Sequence, residues 1–285
     1  MPAYRFCRSD DIPLLVRAYN ECYRSEFVDL PPMTIEEFKT GIRELDLWTS
    51  SCMVVQDGED LIGVLLAAKR EEENLIYRIG IHPDHRRREH GRHLLTSLSQ
   101  KLAILGPRRL VAEVPSAWTH ARAFIEACGY TREREYIDFF LQVRPDPPEA
   151  DDFVVAVSLD DLRESGAFDG RALHRCWERA RETLLNRRDR VRALAIASDE
   201  RVEAYLLYHE PTIGETHEIL GFGCARADRQ ETLLSLLLTS HCSRVDGPVT
   251  IKRVDPEEVS FDLLETVGFR PAAGTIAYAA EAGAA

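Results

Sequence analysis

The sequence predicts an α+β (mixed αβ) chain of two tandem domains, each built on a central mixed sheet with helices on its flanks. Three observations lead there. The chain has 285 residues, long for one domain and comfortable for two, each able to bury its own core. An internal repeat runs through it: Leu94-Leu95 recurs as Leu233-Leu234, and Gly129-Tyr130 recurs by the same offset as Gly268-Phe269. Finally, each half reads in one order, strand, helices, hairpin, strand, helix, strand, helix, strand.

Residues 4–8 read as a strand running into Ser9, a helix N-cap serine, and residues 153–157 before Ser158 repeat that start. The next elements are hairpins. Residues 53–55, the turn Asp57-Gly58 and residues 61–66 are echoed by 193–196, Asp199-Glu200 and 202–207. An apolar strand over 75–81 then meets His82-Pro83 and breaks into a run of arginines before the helical Leu94-Leu95. A strand over 110–114 and a helix over 121–128 close the first half at Gly129-Tyr130. Residues 144–152 are proline-rich and acidic without apolar periodicity, which predicts a linker between domains 1–143 and 153–285.

Apolar residues make up 45% and charged residues 29%, ordinary for a soluble globular protein. The net charge of −12 argues against a general nucleic-acid surface, because phosphate binding needs a clustered cationic face, and it would draw in a cationic substrate. Seven dispersed cysteines without close pairing point to reduced thiols. With no apolar leader and no bilayer-length segment, the expectation is a cytoplasmic protein with no membrane partner.

The strand that ends in a cationic turn opening a helix is an anion site. The first helical turn leaves N–H groups unpaired, its dipole end is positive, and Arg86, Arg87 and Arg88 add full charges there. That chemistry suits a pyrophosphate. The pattern resembles motif A of the GCN5-related N-acetyltransferase (GNAT) family, a strand, an Arg/Gln-x-x-Gly-x-Gly/Ala turn and a helix, with Arg86, Glu89 and Gly91 at the matching positions. Glu89 stands where the family has its first glycine. Ala121, Phe124 and Gly129 fit the family's motif B, whereas Trp118 and Ile125 take the places of its asparagine and tyrosine. In the second half the turn reads Ala225 to Gln230, without the leading arginine or the closing glycine, so that half resembles a degenerate GNAT domain.

The resemblance implies two GNAT folds with mostly antiparallel mixed sheets, acetyl-CoA as cosubstrate and the amine of a small molecule as acceptor. By the same resemblance Ile79, Gly80 and Ile81 would hold the pantetheine arm, Gly80 allowing a strand distortion. Arg86, Arg87, Arg88, Glu89, His90, Gly91, Arg92 and Trp118 would complete the cofactor site. Candidate bases are Glu113, Tyr77 and Glu73, with His120 further out; each also reads as a solvated strand or helix residue. Glu26, Asp29, Glu36 and Glu37 favour a cationic amine and equally describe a solvated acidic helix start. His82, His85, His90 and His93 sit among arginines without a completing carboxylate or thiol, so no metal is expected. Glu89, Trp118 and Ile125 also fit an alternative, a noncatalytic acyl-CoA-binding or interaction protein on two GNAT folds. The sequence leaves monomer or homodimer open.

Overall fold

Side-chain caps start the helices after Thr34 and Ser158, whereas Ser9 caps nothing: it is the first residue of a short turn that has Arg8 at its N-cap, and Asp11 precedes the helix that follows. Thr34 accepts from the Glu37 N–H at 3.1 Å, Ser158 from Asp161 at 3.0 Å, and both acids reach back to the cap's own N–H. The computed structural model describes residues 1–24, 30–148, 151–168, 176–209 and 216–283. They form two compact units.

The first unit comprises Met1–Val114, Trp118–Arg134 and Ile276–Ala285. Its strands β1 (Ala3–Phe6), β2 (Met53–Asp57), β3 (Asp60–Lys69), β4 (Glu73–Ile81) and β5 (Arg109–Pro115) lie side by side in chain order. The first four pair antiparallel, and β4 pairs parallel with β5. β3 is buried along almost its whole length, as a strand covered on both faces must be. Helix α1 (Ile12–Ala18) packs against β3, and α2 (Ile35–Leu45) against α1. Helices α3 (His90–Leu105) and α4 (Thr119–Ala127) bury Leu94, Leu98 and Ile125 in one core with Met53, Leu65 and Ile76.

The second unit comprises Pro115–Ala117 and Glu135–Thr275. Its strands run β7 (Val155–Val157), β8 (Val191–Ala197), β9 (Val202–His209), β10 (His217–Cys224), β11 (Val249–Val254) and then β6 (Thr131–Leu141). Helices α5 (Leu159–Glu164), α6 (Arg181–Asn186), α7 (Gln230–Arg244) and α8 (Phe261–Val267) complete it. The repeat has a physical basis. Gly129 after α4 and Gly268 after α8 both take left-handed backbone, at φ 88° and 107°. The aromatic residue that follows each donates its N–H to the carbonyl five residues back, Tyr130 to Ile125 and Phe269 to Leu264, and is buried. Both helices therefore end in the glycine-dependent motif that satisfies terminal carbonyls.

Against the sequence halves 1–143 and 153–285, the compact units differ at the last strands. Residues from Ile276 onward in β12 (Arg270–Glu281) belong to the first unit, where Ile276 and Tyr278 join its core and Ala282 donates to the Arg108 carbonyl at 2.6 Å. In the second unit β6 pairs antiparallel with β11, Phe139 opposite Ile251. Each half thus sends the later part of its final strand, from Glu135 in β6 and from Ile276 in β12, into the other unit, where it lies beside β11 or β5 and covers an edge otherwise exposed. Of the linker stretch, Arg144 donates to the Ser243 carbonyl and to Asp246 at 3.1 Å, and Glu149 and Ala150 lie outside the described residues. Among the described residues no helix is long and apolar enough to cross a membrane.

Candidate functional site

The first unit's sheet opens at its middle. β4 and β5 pair in register from Glu73↔Arg109 to Ile76↔Ala112, and beyond that point β4 keeps only its pairing with β3. The cause lies next to the last pair. Leu66 of β3 faces Arg78 while Ala67 faces Ile76, so Tyr77 is an extra residue, a bulge that re-aims the strand. Burial changes at the same place: Asn74, Leu75 and Ile76 are buried, whereas Tyr77 to Ile81 are half-buried in the centre of a sheet.

The distortion expected at Gly80 is therefore at Tyr77, and Gly80 has a different task. A Cβ at Gly80 would stand 2.8 Å from the Tyr23 Cα and 3.0 Å from the Cys22 carbonyl. Glycine lets the wide helical turn Tyr19–Tyr23, which continues α1, press its backbone onto β4. That turn brings an aromatic cluster to the opening. The Tyr19 and Tyr23 rings stack at 5.1 Å, and the Arg78 guanidinium lies 4.1 Å from the Tyr77 ring centre and 5.8 Å from that of Tyr23. Burial raises the pKa of Tyr19 and of Tyr23 against the opposing Arg78 charge, so both stay protonated near neutrality and can donate hydrogen bonds. Tyr19, Tyr23 and Arg78 went unread in the sequence. Their signal was an i,i+4 tyrosine pair and one charge inside an apolar strand.

The candidate bases separate. Tyr77 is the bulge itself, and half-buried Glu113 is the first residue of β5 beyond its last pair with β4, so both stand by register at the opening. Glu73 sits at the closed end, held 3.2 Å from Arg109, which also pairs with Glu133. His120 lies in the exposed first turn of α4.

Beyond β4, Pro83–His85 form a short turn, and the Arg86 Nε donates to the Ile81 carbonyl at 3.0 Å. Arg87 at φ 59° and Glu89 at φ 64° take left-handed backbone, and α3 starts at His90 with its first amides outside any intrahelical bond. Arg87 and Arg88 are exposed. The Glu89 carboxylate turns to Arg92 Nε at 2.9 Å, and Arg92 also caps α4 at the Ala127 carbonyl, 3.1 Å away. Gly91 is set by packing, since a Cβ there would lie 3.0 Å from the Phe124 ring. His90 is buried, its Nδ1 2.5 Å from the Tyr4 hydroxyl, with its pKa lowered by burial and by nearby positive charge. Its side chain therefore faces β1, and only its backbone belongs to the turn. Trp118, exposed, stands at the N-cap position of α4 without a side-chain cap, and Ile125 is in the core.

Of the acidic residues expected beside the acceptor, Glu36 pairs with Lys39 at 2.8 Å and Glu37 closes the cap of α2. Both charges are engaged within their own helix. Glu26 and Asp29 lie outside the described residues. Among the described residues no group of three or more His, Cys, Asp or Glu is placed to hold a metal ion.

Residues 12–130 match the sequence model of the acetyltransferase (GNAT) family. No curated protein matches the chain. Among solved structures it is similar to a GCN5-related N-acetyltransferase from Sphaerobacter thermophilus at 16% identity, with 98% of this chain and 95% of that one covered and a TM-score of 0.67. A tandem GNAT protein from the clavulanic acid biosynthesis pathway covers all of both chains at 15% identity and a TM-score of 0.66. A GCN5-related N-acetyltransferase from Anabaena variabilis matches at 13% identity, 99% and 73% coverage and a TM-score of 0.65. The first half thus carries a GNAT domain by sequence, and the chain from end to end has the fold of a tandem GNAT protein.

Proposed function

We propose that this tandem GNAT-fold protein is an N-acetyltransferase that takes acetyl-CoA into the β4–β5 opening of its first unit and passes the acetyl group to the amine of a small molecule. The observation that carries the reading is the bulge at Tyr77, after which β4 leaves β5 and runs half-exposed into the arginine turn.

The residues present fit the cosubstrate. Exposed Arg87 and Arg88, with the free first-turn amides of α3, offer charge and donors to a pyrophosphate. Ile79, Gly80 and Ile81 offer strand backbone to an amide-bearing arm, and a β4 N–H aimed at the thioester carbonyl would stabilise the charge that develops there. The thioester supplies the activated acetyl group. The protein has to accept the amine's proton, and Glu113, with Tyr77 at the bulge, stands where a base is needed. Glu73 is spent on Arg109, and Glu36 and Glu37 on local pairs, which leaves Glu113 as the acidic candidate that register places at the opening. The acceptor is therefore read as an amine, without assigned charge.

Ile125 favours a second reading, a binder of acyl-CoA that turns nothing over, because its aliphatic side chain cannot protonate a leaving thiolate. Free-thiol release from acetyl-CoA across a panel of amines decides between them. Amine-dependent thiol release that Glu113→Gln lowers by an order of magnitude or more is the enzyme's signature. Saturable CoA binding with no thiol release from any amine would leave the binder.

A further inference from the structure

The second unit repeats the strand geometry of the first. β10 and β11 pair in parallel from His217↔Val249 to Ile219↔Ile251. On its other side β10 steps from Ile219↔Tyr208 to Gly221↔Leu207, so Leu220 is an extra residue as Tyr77 is in β4, and β10 likewise parts from β11. By this register Phe222 corresponds to Ile79 and Gly223 to Gly80. Burial reverses. Leu220, Gly221 and Phe222 are buried, where Tyr77, Arg78 and Ile79 are half-exposed.

What closes the second opening is one arginine and one glutamate. Arg179, 2% exposed, donates its Nε to the Leu220 carbonyl at 2.9 Å and its Nη1 to the Lys252 and Arg253 carbonyls of β11 at 3.2 and 3.1 Å. Its Nη2 lies 2.8 Å from Glu258 Oε1, and that same oxygen accepts the Phe222 N–H at 3.2 Å. The pair therefore offers donors to both separated strands and an acceptor to β10, functions that an amide-bearing chain laid between them would offer. Arg253 adopts φ 54° beside the interruption of β11–β6 pairing between Ile251 and Val254. Tyr205, paired across from Gly223 on β9, covers it: a Cβ at Gly223 would stand 2.1 Å from the tyrosine ring.

We propose that Arg179 and Glu258 fill from within the opening that the first unit leaves for the acyl carrier, so that the second unit is a closed counterpart that takes no acyl-CoA. This rests on the β4–β5 opening being the carrier site. In the second unit the Leu220, Lys252 and Arg253 carbonyls and the Phe222 N–H are met by the chain itself, and need no ligand.

Backbone hydrogen exchange of the full chain, with and without saturating coenzyme A, tests it. The Phe222 amide should exchange slowly and at one rate in both conditions, while exchange across residues 78–81 slows with the ligand. Slowing at residues 221–223 on addition of coenzyme A, or two equivalents by calorimetry, overturns the proposal. If residues 78–81 do not respond while Phe222 stays protected, the reading of the first site fails and the filled second opening stands. Variants separate filling from general support. In Arg179→Ala/Glu258→Ala, pantetheine, which needs no phosphate turn, should slow exchange at Phe222; in the wild type and in Arg179→Met/Glu258→Met it should not. A folded double-alanine variant indifferent to pantetheine counts against a carrier-shaped space, and if that variant does not fold, the wild-type measurement decides alone.

Discussion

The two units carry the same bulge and the same parting of parallel strands, yet one leaves the gap half-exposed and the other packs it with a buried ion pair. Their turns differ too. Eight residues separate Ile81 of β4 from His90 of α3, and five separate Cys224 of β10 from Gln230 of α7. In the second unit Arg226 is tied to Asp228 at 3.0 Å, where Arg87 and Arg88 are exposed. The same strand geometry is thus finished in two ways, with a long turn bearing exposed arginines and a half-exposed gap, or with a short turn and partners for the parted strands supplied by Arg179 and Glu258. Separated strands expose polar backbone, and burying it unpaired costs about 1–3 kcal/mol per group. Parted strands that take no ligand must find those partners in the chain itself.

The largest effect tests the strand exchange. Deleting residues 276–285 takes Ile276 and Tyr278, 2% and 0% exposed, out of the first unit's core. Large-to-small changes at such sites cost about 2–5 kcal/mol each, so the loss is on the order of a domain's whole stability. Hydrogen exchange should show α3 unprotected while α7 keeps its protection. Equal protection of α3 with and without the tail would break the assignment of that strand.

Acid should separate the units next. His241 on α7 is 3% exposed with its ring 4.4 Å from that of Tyr208, and burial, then His217, then Arg244 push its pKa down to about 4. The neutral form is the one that folds, so its contribution is complete above the unfolded pKa near 6.5 and is lost as pH falls from there toward 4, on the order of 3 kcal/mol in all. In the first unit the lowered pKa of His90 acts with the same sign, and Asp11, hydrogen-bonded by Arg5, is held down to about 2, so its contribution is lost only below the ordinary carboxylate range. Denaturant midpoints from pH 7 to 4.5 should fall faster for the second unit, and His241→Leu should flatten that slope. A slope unchanged by the substitution would place the acid sensitivity elsewhere.

The open site offers two finer tests. Arg87 is exposed on the turn, and Arg87→Glu should weaken coenzyme A binding about tenfold or more, since charge-assisted hydrogen bonds contribute about 1.5–3 kcal/mol each, while leaving the melting temperature unchanged. Binding indifferent to that change would move the pyrophosphate off this turn. Glu89→Gly should act least, tightening coenzyme A binding a few-fold. It removes a carboxylate beside the anion site and relieves left-handed backbone at φ 64°, a strain of about 1–2 kcal/mol, partly offset by glycine's greater freedom when unfolded. Weaker binding in this variant would show that Glu89, through Arg92, positions the turn.

Much of this molecule was legible in order along the chain because its signals are local. An N-cap Ser158 with Asp161 three residues on, a Gly129-Tyr130 or Gly268-Phe269 after a helix, and three arginines between a strand and Leu94-Leu95 each constrain a few neighbouring backbone angles or charges. Short-range periodicity reports such constraints directly, and the repeat of those signals announced two similar domains. The tertiary structure decided what depends on partners distant in sequence. Gly80 is glycine because a turn some sixty residues earlier presses on it, Glu73 is spent because Arg109 lies across the sheet, and the first core closes only on Ile276 and Tyr278. No local pattern in the sequence singles out Arg179. Only the register of β10 and β11, which brings the Leu220, Lys252 and Arg253 carbonyls and Glu258 around one point, makes it the filling of a closed site, because hydrogen-bond satisfaction in a buried gap is settled by three-dimensional neighbours and leaves no periodic mark on the chain.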